Sequence, residues 1–102
     1  MSTTIFEKKD NLLTVKPVGR LDTATSPVLE KELEPHLEGV QNVLMDFAEV
    51  EYISSGGLRV LLAVEQLLEN RGGKLRLIHV NSNIMEIFDL VGFMDVVTVE
   101  QD

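Results

Sequence analysis

Apolar residues recur along this chain in short runs whose period shifts between two and about four, with Gly, Pro and Asn standing between the runs. Thr3–Lys8 and Leu12–Val18 flank Asp10-Asn11, a turn-prone pair, which predicts a hairpin or two adjoining strands. In "GRLDTATSPVLEKELEPHLEG", Leu29, Leu33 and Leu37 repeat every four residues, the signature of a helix with one apolar stripe. Ser26 can accept from the orphan amides of its first turn, Pro27 suits the first helical position, and Pro35 should kink or end it, leaving Ser26–Glu34 as the firm part. "NVLMDF", Asn42–Phe47, is short and nearly all apolar, so it reads as a strand covered on both faces. "LRVLLAVEQLL", Leu58–Leu68, is apolar almost all round and predicts a buried helix ended by Arg71-Gly72-Gly73. Lys74–Val80 alternates as a strand. Asn83 with Glu86 predicts a capping box for a helix that buries Ile84, Ile87, Phe88 and Val91, with Gly92 as its stop and Val96–Val99 as a last strand. The expected order is β-β-α-β-α-β-α-β, an α/β domain with a mixed sheet.

Length and composition narrow this without changing it. A chain of 102 residues suits one domain, here 1–102, and 44% hydrophobic with 25% charged residues is ordinary for a globular protein. No apolar run approaches the ~20 residues of a membrane span, and the first ten residues lack a signal pattern, so the cytoplasm is the expected compartment. The absence of cysteine removes disulfides, thiol nucleophiles and thiolate metal sites, and His36 and His79 alone make a poor imidazole set, so no metal or other cofactor is expected. A formal charge of -8 repels a phosphate backbone, which argues against nucleic acid as a partner.

The stretch with unspent chemistry is "YISSGGLRVLL", residues 52–62. Ser55 or its neighbour can cap the buried helix, which stabilises by about 1 kcal/mol. Capping does not explain Gly56-Gly57, because a glycine inside a helix costs about 1 kcal/mol relative to alanine unless something approaches the backbone closely. An anion is one candidate, since free amides and the helix dipole favour negative charge there, and it could arrive as a ligand or be attached to a serine. The spacing and the lysine of a P-loop are missing. A nucleophile elbow would need Gly two residues before the serine, where Tyr52 or Ile53 stands, and neither histidine is an evident base: His79 reads as a core residue and His36 follows Pro35 in a polar helix end. Asp46 lacks the further carboxylates that an aspartyl-phosphate receiver needs for Mg²⁺, so it reads as a loop or cap residue.

Three blocks, "GRLDTATSPVL", "NVLMDFAEVEYISSGGLRVLL" and "NIMEIFDLVGF", stand in the order and spacing of the sulfate-transporter and anti-sigma-factor-antagonist (STAS) family, whose patterns "GelDxxta", "vxyidSsGlgvL" and "lfdltGl" they resemble over nearly the whole chain. The resemblance implies a small α/β domain with a mixed β-sheet and helices packed mainly on one side. It implies a protein that is not an enzyme: a stand-alone anti-sigma factor antagonist that binds an anti-sigma factor, usually a serine kinase of the histidine-kinase-like ATPase class, and so frees a sigma factor. In the family the kinase phosphorylates a serine of the central block to break the complex, and a phosphatase restores it. Laid on this chain, that serine is Ser55, the motif aspartate falls on Ser54, and Gly56, Gly57 and Leu58 follow. The partner-facing surface then comprises Ser54, Ser55, Gly56, Gly57 and Arg59, expected to be flat with Ser55 capping the helix, together with Asp22, Thr23 and Thr25 at the same end. A different class of function, a STAS scaffold or regulatory subunit of a lipid or anion transport complex without phosphorylation, is favoured by the Ser54 departure; a neighbouring gene for a kinase-like ATPase or for transporter components separates the two.

Overall fold

The turn at Asp10-Asn11 forms as its residues allow, Asp10 adopting the left-handed φ of 59° that Asp and Asn tolerate best after Gly. It joins β1 (Ile5–Lys9) to β2 (Leu12–Lys16) as an antiparallel pair; the computed structural model describes residues 4–100, so Thr3 lies outside the described residues. Then follow β3 (Gly19–Leu21), α1 (Ser26–His36), β4 (Asn42–Asp46), β5 (Val50–Ile53), α2 (Ser55–Glu69), β6 (Leu75–Ile78), α3 (Ser82–Leu90), a 3-10 turn at Phe93–Asp95 and β7 (Thr98–Val99).

A five-stranded sheet has the order β1-β2-β4-β6-β7, parallel except for the first pair. Its register lines up Phe6, Val15, Met45, Leu77 and Val99 in one row and Leu13, Val43 and Leu75 in the next, and these rows face the helices. Glu7, Thr14, Leu44, Arg76 and Thr98 share the opposite face. The strand at Asn42 is therefore covered on one face rather than two: Val43 and Met45 are fully buried, whereas Leu44 is half-exposed, because successive side chains of a strand point to opposite faces.

Two strands absent from the expected order, β3 and β5, pair in parallel as a separate small sheet. They end side by side, the Ser54 amide donating to the Leu21 carbonyl at 2.8 Å, and each leads directly into a helix. Helix α1 runs through Pro35 and stops at His36, whose ring stacks on Phe6 with centroids 4.1 Å apart. Arg71 locks the far end: its Nη1 donates to the carbonyls of Leu37 and Val40, both at 2.7 Å. Gly73 passes so close to β4 that a β-carbon there would overlap the Gln41 carbonyl oxygen and stand 2.7 Å from its carbon. Glu65, the one buried acid among the described residues, accepts from the Leu75 amide at 2.8 Å and so ties α2 to the start of β6.

At the C-terminal third, the cap of α3 is Asn81, which accepts from the Ile84 amide at 2.9 Å, and not Asn83, which lies within the helix; the Glu86 capping box does not form. Ile84 and Phe88 are fully buried, Ile87 is half-buried, and Val91 is 57% exposed because the helix has ended before it. Gly92 does stop the helix, at φ 69°, and the 3-10 turn shortens the last strand to Thr98–Val99. His79 is no core residue: it leaves β6 at a positive φ of 59° and its exposed ring pairs with Asp46 at 2.8 Å.

Candidate functional site

The site is built where β3 and β5 hand over to helices. After Leu21, the Asp22 carboxylate accepts from the amides of Ala24 and Thr25, both at 3.0 Å, while the Thr25 hydroxyl donates to the Arg20 carbonyl at 2.5 Å and accepts from the Asp22 amide at 2.9 Å. This knot sets the direction of α1. Ser26 does not cap it: the N-cap position is Thr25, whose side chain makes no capping bond to the first-turn amides, and Ser26 is the first helical residue, turned inward. The Thr25 amide, then that of Ala24, holds the Asp22 carboxyl below the usual carboxylate range; slight burial opposes this, and the Thr25 hydroxyl and Arg20 add to it.

A depressed carboxyl stabilises the fold above its unfolded pKa of about 3.9, and that contribution is lost as pH falls through the lower folded value. Asp22→Ala should therefore melt lower than wild type at pH 7, with the gap narrowing progressively below about pH 4. Thermal melts of both proteins across pH 3–7 measure this, and a gap independent of pH would show that the charge is not what holds the turn.

On the other side, Ser54 leaves β5 in an extended conformation and its Oγ accepts from the Gly57 amide at a long 3.5 Å, so Ser54 caps α2 and Ser55 is its first residue. The expected cap at Ser55 is thereby corrected: capping needs the extended backbone of the residue just before the helix, and Ser55 is already helical. Gly57 is buried against the preceding strand, where a β-carbon would stand 2.6 Å from Ile53 Cγ1 and 3.0 Å from the Leu21 carbonyl oxygen. Its close neighbour is the protein itself, so Gly57 shapes the surface from beneath. Gly56 is different, its nearest contacts to an added β-carbon being an ordinary 3.5–3.8 Å, to Ser54 and Ser26.

The result is a cleft rather than a flat surface. It encloses about 350 Å³ between the first turns of α1 and α2, lined among others by Thr23, Ser26, Glu30, Ser55, Gly56 and Arg59. Thr23, Ser55, Gly56 and Arg59 are thus brought together as the sequence suggested, and Asp22 and Thr25 hold the turn beside them. Three neighbours were not legible as site residues. Ser26 forms part of the floor, and Arg20 lies over the Tyr52 ring at 4.4 Å and within 3.9 Å of Asp22. The available signal was Arg20 itself, standing where the resembled pattern has an acid, and Tyr52, an aromatic two residues before the serines.

Neither histidine lines this cleft: His36 stacks on Phe6 and His79 is engaged by Asp46. Burial works against ionisation of Asp46, but the hydrogen bond from His79, the Ala48 amide at 2.9 Å and the charges of His79 and Lys16 outweigh it and keep the carboxyl below its ordinary value. Asp46 closes a turn, as its position at the end of β4 suggested. Among the described residues no cluster of three His, Cys, Asp or Glu side chains could hold a metal. The arrangement presents a hydroxyl on a helix first turn, with neither histidine beside it.

The STAS domain family model matches residues 4–102, and the chain belongs to that family. BtrV of Bordetella bronchiseptica, assigned as an anti-sigma factor antagonist, is 33% identical over 95 residues, covering 92% of this chain and 82% of that protein. The anti-sigma-B factor antagonist of Bacillus subtilis is 26% identical over 93 residues, covering 91% and 85%. Among solved structures, the Bacillus cell fate determinant SpoIIAA in its phosphorylated form superposes with a TM-score of 0.74 at 15% identity, over 96% of this chain and 91% of that one. The likeness establishes the fold as that of a small α/β domain with a mixed sheet and its helices mainly on one side.

Proposed function

We propose that this chain is an anti-sigma factor antagonist that works by partner switching. With Ser55 bare, it binds an anti-sigma factor, a serine kinase of the histidine-kinase-like ATPase class, through the rim formed by Asp22, Thr23, Ser54, Ser55, Gly56 and Arg59, and the sigma factor is released. In the complex the kinase transfers the γ-phosphoryl group of its ATP to Ser55: the Oγ–P bond forms, the bond from the β,γ-bridging oxygen to the γ-phosphorus breaks, ADP leaves and the hydroxyl proton is lost. The added charge of about -1.5 to -2 disrupts the interface, and a serine phosphatase resets it by hydrolysis. The cytoplasm, where sigma factors act, is the matching compartment.

The observation that carries this reading is the placement of Ser55, exposed on the first turn of α2 at the mouth of a cleft that the Asp22–Thr25 turn completes. The departure at Ser54 is compatible with it. That position is the N-cap of α2, and Ser and Asp are about equally good there, so replacing the motif aspartate keeps the helix start intact. Names of relatives along nearly the whole chain point the same way. Phosphopeptide mass spectrometry on the protein isolated from its own cells, in growth and in stress, should find phosphate on Ser55; its absence in both states would replace the switch with a constitutive binding subunit.

A further inference from the structure

Two features of the cleft serve neither the fold nor the switch. Ser26 is 2% exposed, and its Oγ is buried with no hydrogen-bond partner. An unpaired buried hydroxyl costs about 1–3 kcal/mol, so an inward serine at the start of α1 needs a reason. The hydroxyl lies beneath Gly56, 3.8 Å from where a β-carbon would stand, and Gly56 is the one glycine of its pair that no close packing explains. Alanine would fit there and favour the helix, yet it would fill the gap above Ser26.

The surroundings are rich in donors at that point. α1 and α2, of 11 and 15 residues, both direct their N-termini at the cleft. The amides of Ser55 and Gly56 stand in the first turn of α2, where no helical carbonyl lies one turn back to accept from them. Arg59 lines the cleft one turn further on, and Glu30 is the one acid among the lining residues. Two helix dipoles, free amides and a guanidinium fit a tetrahedral oxyanion, and the orphan hydroxyl adds a neutral donor that such an ion would satisfy.

We propose that the cleft between the first turns of α1 and α2 is a receptor for a phosphoryl group, held by Ser26, the amides of Ser55 and Gly56, and Arg59. The group has two possible sources. A free phosphate ion needs nothing further, whereas a phosphoryl group carried by Ser55 rests on the switch reading above. In the second case the phosphate folds back against its own protein, which explains an inward Ser26 and a bare Gly56 at one place.

The test is thermal melting of the full chain titrated with inorganic phosphate against chloride at constant ionic strength. Wild type should show a phosphate-specific rise of roughly 4–8 °C at phosphate about five times its Kd, growing with the logarithm of concentration beyond that. Ser26→Ala and Gly56→Ala should fold, melt at or above wild type without phosphate, and lose the rise; Glu30→Gln should bind phosphate more tightly. No phosphate-specific rise in wild type, or the same rise in both variants, overturns the proposal. Protein carrying genetically encoded phosphoserine at 55 separates the sources. If the attached group occupies the cleft, free phosphate gives no further rise and the phosphorus-31 titration of the phosphoserine shifts below its usual value near pH 6, a shift lost in Gly56→Ala. An unshifted titration with a full response to free phosphate assigns the receptor to the ion alone. The phosphate titration stands or falls whether or not cells phosphorylate Ser55.

Discussion

Ser55→Asp should lose the anti-sigma factor while keeping the fold. A carboxylate one position past the N-cap of α2 meets the positive end of the helix dipole, a stabilisation of about 0.3–1 kcal/mol, so the melting temperature should hold or rise slightly. At the proposed interface the same charge would replace a small hydroxyl on the rim that the partner covers. Affinity should fall at least about 100-fold, or roughly 2.7 kcal/mol, as read by titration calorimetry against the purified anti-sigma factor. Ser55→Ala, which adds no charge, should stay within about tenfold of wild type and resist switching. If Ser55→Asp binds as tightly as wild type, charge at this position is not the switch.

Gly73→Ala should be the most damaging small substitution among the described glycines. The added β-carbon meets backbone, the Gln41 carbonyl group, and that segment cannot yield cheaply: the Gln41 amide donates to the Asn11 carbonyl at 2.9 Å and the Val43 amide to Lys74 at 3.2 Å. A side chain can rotate away from a clash, whereas here the start of β4 would have to part from the start of β6. We expect a loss of about 4 kcal/mol or more, a large share of the 5–15 kcal/mol by which such domains are stable, and a fall in melting temperature of at least about 16 °C. Gly57→Ala, whose nearest clash is the Ile53 side chain, should cost less. Urea unfolding of both variants ranks them, and a Gly73→Ala protein within 1 kcal/mol of wild type would mean that the two strand starts separate freely.

The contrast between glycines shows why part of the site could not be read from the chain. "SSGG" announces that something unusual happens at residues 54–57, but its parts do different work. Gly57 is needed because Ile53 and Leu21 press on it, Leu21 arriving from a strand more than thirty residues earlier, and Gly56 faces the open cleft. The cap fell on Ser54 rather than Ser55, and on Asn81 rather than Asn83, because capping depends on which residue holds the extended backbone just outside the helix. A sequence with two candidate caps within two residues does not contain that choice.

Local pattern determined much of the rest. The hairpin at Asp10-Asn11, the stripe of α1, the apolar runs of β4 and α2, and the stop at Gly92 follow from period and turn chemistry, which act over a few residues. So does the location of the candidate site, marked by the serines and glycines at the start of α2. Strands β3 and β5 are legible only in three dimensions: three and four residues long, with the irregular burial of Val50–Ile53, they exist because they pair with each other and with nothing else in the large sheet. Their pairing brings Leu21 beside Ser54 and sets the first turn of α1 against that of α2. Sequence supplied the residues of the cleft, and tertiary structure alone made it a cleft, because a site shared by two helix starts depends on a contact between distant parts of the chain.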